Sequence, residues 1–276
     1  MTLPYTVHRA GSRAIVFIHG ILESGGLWNQ VVSALDSRDV AVVTLDLPGM
    51  GELGHLDAPD NLRALADAVT GVVDELSMPV LMIGQSMGAQ VAELAALARP
   101  DQVFGLVLVT PIPLAGLPVP PETAGVFLSL GGNENAQRQM RAQFSPNLAP
   151  DILEEMIRVG MRASPESAKA LFTAWSTGDP VGREPGTDRF PVLVIGGEND
   201  TFASPGVVAS SVISRFPHVT SLFLEETGHW PHIEQPERIA REIDTFLQSL
   251  ETVTNTGQSA GSPPKQGITR QQYVVK

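Results

Sequence analysis

Along this chain, short unbroken apolar runs alternate with segments whose apolar residues recur at helical spacing. The runs are Ala14–Ile18, Val40–Leu45, Val80–Ile83, Val103–Val109, Val192–Ile195 and Thr220–Leu224. They are nearly all apolar rather than alternating, which is the pattern of strands buried on both faces of a parallel sheet. Between them, helical periodicity predicts helices over Leu27–Leu35, Leu62–Leu76, Met87–Ala98, Val207–Arg215 and Arg238–Leu250. Ser204-Pro205 and Gln235-Pro236-Glu237 put proline in the first turn, where its missing N–H costs nothing. The alternation predicts an α/β fold built on a mostly parallel, doubly wound sheet.

The alternation breaks between Pro111 and Arg189. TPIPLAGLPVPPE (Thr110–Glu122) is too rich in proline for a central strand and reads as an exit from the sheet. Helical patterns follow near Glu134–Phe144, Asp151–Met161 and Glu166–Trp175. The expected organisation is a core of residues 1–110 and 190–250, with residues 111–189 inserted between two core strands as a helical cap. Such an insertion lies over the strand ends, where open α/β sheets bind ligands. Past Leu250 the periodicity gives way to Gly, Ser, Pro, Thr and Gln, so residues 251–276 are expected to be a disordered tail.

Composition narrows the function classes. A hydrophobic fraction of 43% over 276 residues supports a large core. The net charge of −12 repels phosphate backbones and anionic lipid surfaces, so neither nucleic acid nor membrane is an expected partner. Without cysteine, disulfides, thiolate metal sites and cysteine catalysis are excluded. His229 and His232 flank Pro231 with no evident third ligand, so no metal and no cofactor are expected. MTLPYTVHRAGSR lacks a signal-peptide apolar region and no apolar run is long enough to span a bilayer, so the expectation is a cytoplasmic protein.

The chemistry concentrates at one turn. Gly84-Gln85-Ser86-Met87-Gly88 fits the G-x-S-x-G nucleophile elbow, with a strand candidate before it and a helix candidate after it. A chain that reverses from strand to helix in one residue strains that residue and pushes its side chain out at the sheet edge. The flanking glycines let strand and helix approach closely. Serine needs a base, and the base needs an orienting acid, in the chain order Ser…Asp/Glu…His. Asp200 lies just beyond Val192–Ile195, and His229 just beyond Thr220–Leu224. Glu198 is a rival acid and His232 a rival base, but Gly228 permits the tight turn that a projecting His229 requires.

With these residues in view, the sequence resembles the α/β-hydrolase superfamily from about Ser12 to Leu250. The likeness is carried by IHG at Ile18–Gly20, DLPGMG at Asp46–Gly51, GQSMG, GGEND at Gly196–Asp200 and GHWPHIEQPE at Gly228–Glu237. The resemblance implies an oxyanion hole from the backbone N–H groups of Ile21 and Met87, and a structural role for His19. It departs at Ala89, Ile21 and GMGE, and the short stretch before His19 implies a reduced N-terminal hairpin. The implied activity is that of a serine hydrolase in which Ser86, Asp200 and His229 cleave a small or medium uncharged carboxylic ester or lactone. Phe127, Phe144 and Trp175 of the cap, with Trp230 beside the base, are the expected pocket residues. Cofactor-free C–C hydrolysis, perhydrolysis and a ligand-binding receptor that retains the three residues are the alternatives. The only expected partner is a small-molecule substrate; oligomeric state is left open.

Overall fold

The computed structural model describes residues 3–37 and 39–257. Its strands are β1 (Tyr5–Arg9), β2 (Arg13–Ile18), β3 (Val40–Leu45), β4 (Val80–Gln85), β5 (Val103–Val109), β6 (Val192–Gly197) and β7 (Val219–Leu224). They form one seven-stranded sheet in the order β1-β3-β2-β4-β5-β6-β7. β1 runs antiparallel to β3, and the other pairings are parallel. The register places Ile18 beside Gly84, Gln85 beside Val109 and Val109 beside Ile195. The loops that follow β2, β4, β5 and β6 therefore emerge together at one edge.

Side chains on the central strands divide between two cores with the period of two that a pleated strand imposes. Val16, Ile18, Met82, Leu106 and Val194 face one core, while Ile15, Phe17, Ile83, Val107 and Ile195 face the other. Helices α1 (Asn29–Ala34), α2 (Leu62–Leu76) and α3 (Met87–Ala98) follow the first strands. The helices α4 (Pro121–Leu128), α5 (Glu134–Phe144), α6 (Pro150–Gly160) and α7 (Pro165–Thr177) are all inserted between β5 and β6. Then come α8 (Pro205–Ser211), the single turn α9 (Pro231–Glu234) and the long α10 (Pro236–Gly257). Residues of α1 and α10 cover one face of the sheet, and those of α2, α3 and the insertion cover the other.

Several sequence expectations need correction. β1 has no counterpart among the expected strands, because YTVHR is a half-exposed edge strand with little apolar signal. α4 is not among the expected helices: it begins at the end of the segment read as an exit from the sheet, and its start is masked by a run of prolines that ends with Pro121 in its first turn. The helix expected over Leu27–Leu35 opens as a 3-10 turn at Gly25–Trp28, and the one expected over Val207–Arg215 breaks at Val212 into α8 and a 3-10 turn. α10 continues past Leu250 to Gly257, into the segment expected as a disordered tail. The remainder of that segment, 258–276, lies outside the described residues. Among the described residues no helix is long and apolar enough to cross a membrane.

The helix that follows the elbow is pinned from behind by an ion pair. Glu93 of α3 and Arg215 after α8 approach to 3.0 Å, with side chains only 4% and 10% exposed. Burial raises the carboxyl pKa of Glu93, and the Arg215 charge and hydrogen bond oppose that rise. Removing one member strands the other charge in a dry environment, which costs about 3–5 kcal/mol. Arg215→Ala is therefore expected to lower the unfolding free energy measured by urea denaturation by about that amount; a change below about 1 kcal/mol would show that water relieves Glu93.

Candidate active site

Ser86 joins β4 to α3 with φ 54° and ψ −119°, a left-handed conformation that costs a residue with a Cβ on the order of 1–3 kcal/mol. The surroundings hold it there. Its N–H donates to the Val109 carbonyl at 3.0 Å, and its own carbonyl accepts from Ala89 N–H at 3.0 Å. The flanking glycines are required by contact. A Cβ on Gly84 would sit 2.1 Å from the Gly88 carbonyl oxygen, and one on Gly88 would sit 2.4 Å from the His19 carbonyl oxygen.

Three side chains form a hydrogen-bonded line. Ser86 Oγ lies 2.9 Å from His229 Nε2, and His229 Nδ1 lies 2.7 Å from Asp200 Oδ2. Asp200 is held by its other oxygen, which accepts the Phe202 and Ala203 N–H groups at 2.8 and 2.9 Å. Glu198, the rival acid, is exposed. His232, the rival base, is fully buried against Trp28 with ring centroids 4.3 Å apart, and burial pushes its pKa down to about 3. With Asp200 accepting from Nδ1, the neutral His229 offers its Nε2 lone pair to the serine hydroxyl. The line can therefore move a proton from oxygen to imidazole.

The backbone of His229 is clamped from three elements. Its carbonyl accepts from Gln85 Nε2 at the end of β4 and from Thr110 Oγ1 just after β5, both at 2.9 Å. Its N–H donates to Phe144 O at 3.0 Å and Ser145 Oγ at 2.8 Å, at the end of α5. Ser145 Oγ in turn donates to Glu234, which also accepts the Gly228 N–H. The inserted helix α5 thus holds the base loop directly.

The same helix reaches the loop after β2. Arg141 is wholly buried and donates to the Leu22 carbonyl at 3.1 Å and to Gln137 Oε1 at 3.0 Å. Burial pushes its pKa down to about 10, against the favourable charge of Glu23, so it stays protonated near neutral pH. His19 fixes the other side of the loop: Leu47 N–H donates to its Nε2 at 3.0 Å, and its Nδ1–H donates to Gly20 O at 2.8 Å. That network leaves His19 no lone pair for a substrate. Among the described residues neither Ile21 N–H nor Met87 N–H has a protein acceptor, which leaves both free for an oxyanion.

A narrow pocket of about 10 Å³ opens onto Ser86 and His229. Its walls include Ile21, Phe127, Phe144, Trp175 and Trp230, together with Glu23 and Phe202. The aromatic rings pack on one another, with Phe144 stacked on Phe202 at 4.9 Å and Phe127 edge-on to Trp175 at 4.9 Å. Ser86 and His229 are only 3% and 4% exposed beneath them. Sequence reasoning passed over Glu23, Arg141, Ser145, Phe202 and Glu234. Only Glu23 carried a signal, as a lone carboxylate in the HGILESG loop. Among the described residues no group of three or more His, Asp and Glu is arranged for a metal.

A sheet of this order with a serine elbow after β4 and a helical insertion after β5 is the architecture of the α/β hydrolases. The chain belongs to that family: the pattern of the Alpha/beta hydrolase family matches residues 15–242. It is 27% identical over 256 residues to the sn-1-specific diacylglycerol lipase of Mus musculus, covering 85% of this chain and 80% of the lipase. It is 28% identical to the 2-hydroxy-6-oxononadienedioate/2-hydroxy-6-oxononatrienedioate hydrolase of Cupriavidus pinatubonensis, covering 86% of this chain and 88% of that one. Among solved structures, a thermophilic esterase from Thermogutta terrifontis superposes with a TM-score of 0.72 at 23% identity, covering 90% of this chain and 93% of the esterase, a likeness of fold.

The charges around His229 set its titration. Burial lowers its pKa, but Asp200, through its charge and hydrogen bond, outweighs that with help from Glu23 and Glu234, so the net shift is upward from 6.5. In an NMR titration the His229 ring is expected to protonate with a midpoint above 6.5, while His232 stays neutral down to about pH 3. A His229 midpoint below 6.5 would mean that burial dominates over the three carboxylates.

Proposed function

We propose that this protein is a serine hydrolase that cleaves small or medium uncharged carboxylic esters or lactones through an acyl-enzyme on Ser86. The observation that carries this reading is the unbroken line from Ser86 Oγ to His229 to Asp200, at 2.9 and 2.7 Å. Likeness to relatives named as a lipase and an esterase supports ester chemistry. The pocket supports the substrate class, since its aromatic walls suit a short apolar acyl or alcohol group.

In this mechanism Ser86 Oγ attacks the carbonyl carbon while His229 Nε2 accepts its proton, and Asp200 stabilises the imidazolium through Nδ1–H. The negative oxygen forms against the N–H groups of Ile21 and Met87, each worth about 3 kcal/mol in comparable sites. Collapse of the tetrahedral intermediate breaks the C–O bond, and His229 returns the proton to the leaving alcohol. Water then attacks the acyl-enzyme by the same proton route, releasing the acid and restoring Ser86. For a lactone both products stay joined as one hydroxy acid.

Cleavage of a C–C bond is the second reading, favoured by the likeness to the oxononadienedioate hydrolase. The HGILESG loop lacks the Gly-Pro-Gly pattern that many such enzymes carry, so ester cleavage takes precedence. A receptor that keeps the three residues without turnover is the remaining alternative.

A fluorophosphonate probe is expected to label the native protein once, at Ser86, and Ser86→Ala is expected to abolish both the label and multiple turnover of a short p-nitrophenyl ester. A mass-mapped adduct on another residue overturns the assignment, and labelling without turnover favours the receptor. Because the base must be neutral and its pKa is raised, kcat/KM is expected to climb with pH along a limb centred above 6.5. A flat profile from pH 6 to 8 would remove His229 from the mechanism.

A further inference from the structure

Apart from His229, Glu23 is the only ionisable residue among those that line the pocket. Its side chain is almost completely buried, and both oxygens are engaged by N–H donors: Trp230 Nε1–H at 2.6 Å and Gly20 N–H at 3.1 Å. A protonated carboxyl would need an acceptor for its own hydrogen. The nearest ring nitrogen, His232 Nε2, is 3.9 Å away, beyond hydrogen-bond reach. Gln85 Oε1 also lies beside Gly20 and has no hydrogen-bond partner among the described residues, but the two N–H donors to Glu23 favour its carboxylate form.

This charge lies close to the reacting centre. A point beside Gly20 is 3.0 Å from Glu23 Oε1 and 3.3 Å from Ser86 Cβ, so the carboxylate and the serine are no further apart than those two distances together. The other charges nearby offset it only in part. Asp200 and Glu234 add negative charge around His229, and His232 is neutral. The buried Arg141 interacts with Glu23 through its charge and offsets part of it, from a position outside the pocket lining.

We propose that Glu23 is a specificity-determining residue that rejects anionic substrates, restricting the site to esters with no carboxylate near the scissile carbonyl. The inference rests on the hydrolase reading and deepens it. In a water-poor pocket, two like charges a few ångströms apart repel strongly enough to change relative rates by about tenfold or more. The same repulsion acts on the product. Ester hydrolysis turns a neutral acyl group into a carboxylate beside Glu23, so the acid is bound more weakly than the ester it came from and leaves readily.

The test compares p-nitrophenyl butyrate with the mono-p-nitrophenyl ester of succinate, which puts a carboxylate where butyrate has a methyl. The native protein is expected to favour the neutral ester in kcat/KM by at least about 100-fold. Glu23→Gln, which keeps the shape and loses the charge, is expected to shrink that ratio about tenfold or more and to strengthen inhibition by butyrate. Glu23→Leu serves as the second uncharged variant if Glu23→Gln does not fold. A native ratio near one, or a ratio unchanged in a folded variant, overturns the proposal.

A binding arm separates this failure from failure of the hydrolase reading. Tryptophan fluorescence titrations with 2-hexanone and with 4-oxopentanoate need no turnover. Selective binding of the neutral ketone, lost on substitution of Glu23, supports the charge filter even in a protein that cleaves neither ester. Equal binding of both ketones sinks it.

Discussion

The structure depends on a backbone conformation that serine adopts only under constraint. At φ 54° Ser86 is held away from its own preferences by strand pairing on one side and helix α3 on the other. The constraint is transmitted by contact, because the space at Gly84 and Gly88 is filled by neighbouring carbonyls at distances no side chain tolerates. Once the hydroxyl is fixed in this way, every other group in the site can be positioned relative to a stationary atom. The buried Glu93–Arg215 pair ties the far side of α3 to the segment after α8.

Around that fixed point the charges are arranged asymmetrically. Asp200, Glu23 and Glu234 all raise the pKa of His229 against the opposing effect of burial. A positive charge on this imidazole would therefore be matched by fixed negative charge that needs no reorganisation. An apolar aromatic shell lies above, so these charges act in a poorly screened space. The pocket thus pairs an electrically biased floor with neutral walls, which is consistent with a neutral reactant.

Much of the fold was legible because its signals are local. Buried parallel strands announce themselves as apolar runs, and the elbow is confined to five consecutive residues. Asp200 and His229 could be placed because each follows a strand end, and strand ends of a parallel sheet share one edge. β1 and α4 were hidden for opposite reasons: one is an edge strand with few apolar residues, and the other begins within a proline run. Arg141, Ser145 and Glu23 act through partners distant in the chain. Arg141 meets the carbonyl of Leu22, 119 positions away, and Ser145 meets the N–H of His229, 84 positions away. Nothing in their neighbouring residues encodes such meetings, which arise from how the insertion settles on the sheet.

The grip of α5 on the peptide of His229 limits how the molecule can breathe. Lifting that helix as a rigid flap would pull the imidazole off the hydroxyl, so an entrance made there would disarm the machinery each time it opened. Around Phe127 and Trp175 the insertion instead meets the core through ring packing and through the Trp175 carbonyl, which accepts from Gln90 Nε2 at 3.1 Å. None of those contacts bears on the main-chain bonds of His229, so a shift there would leave the imidazole in place.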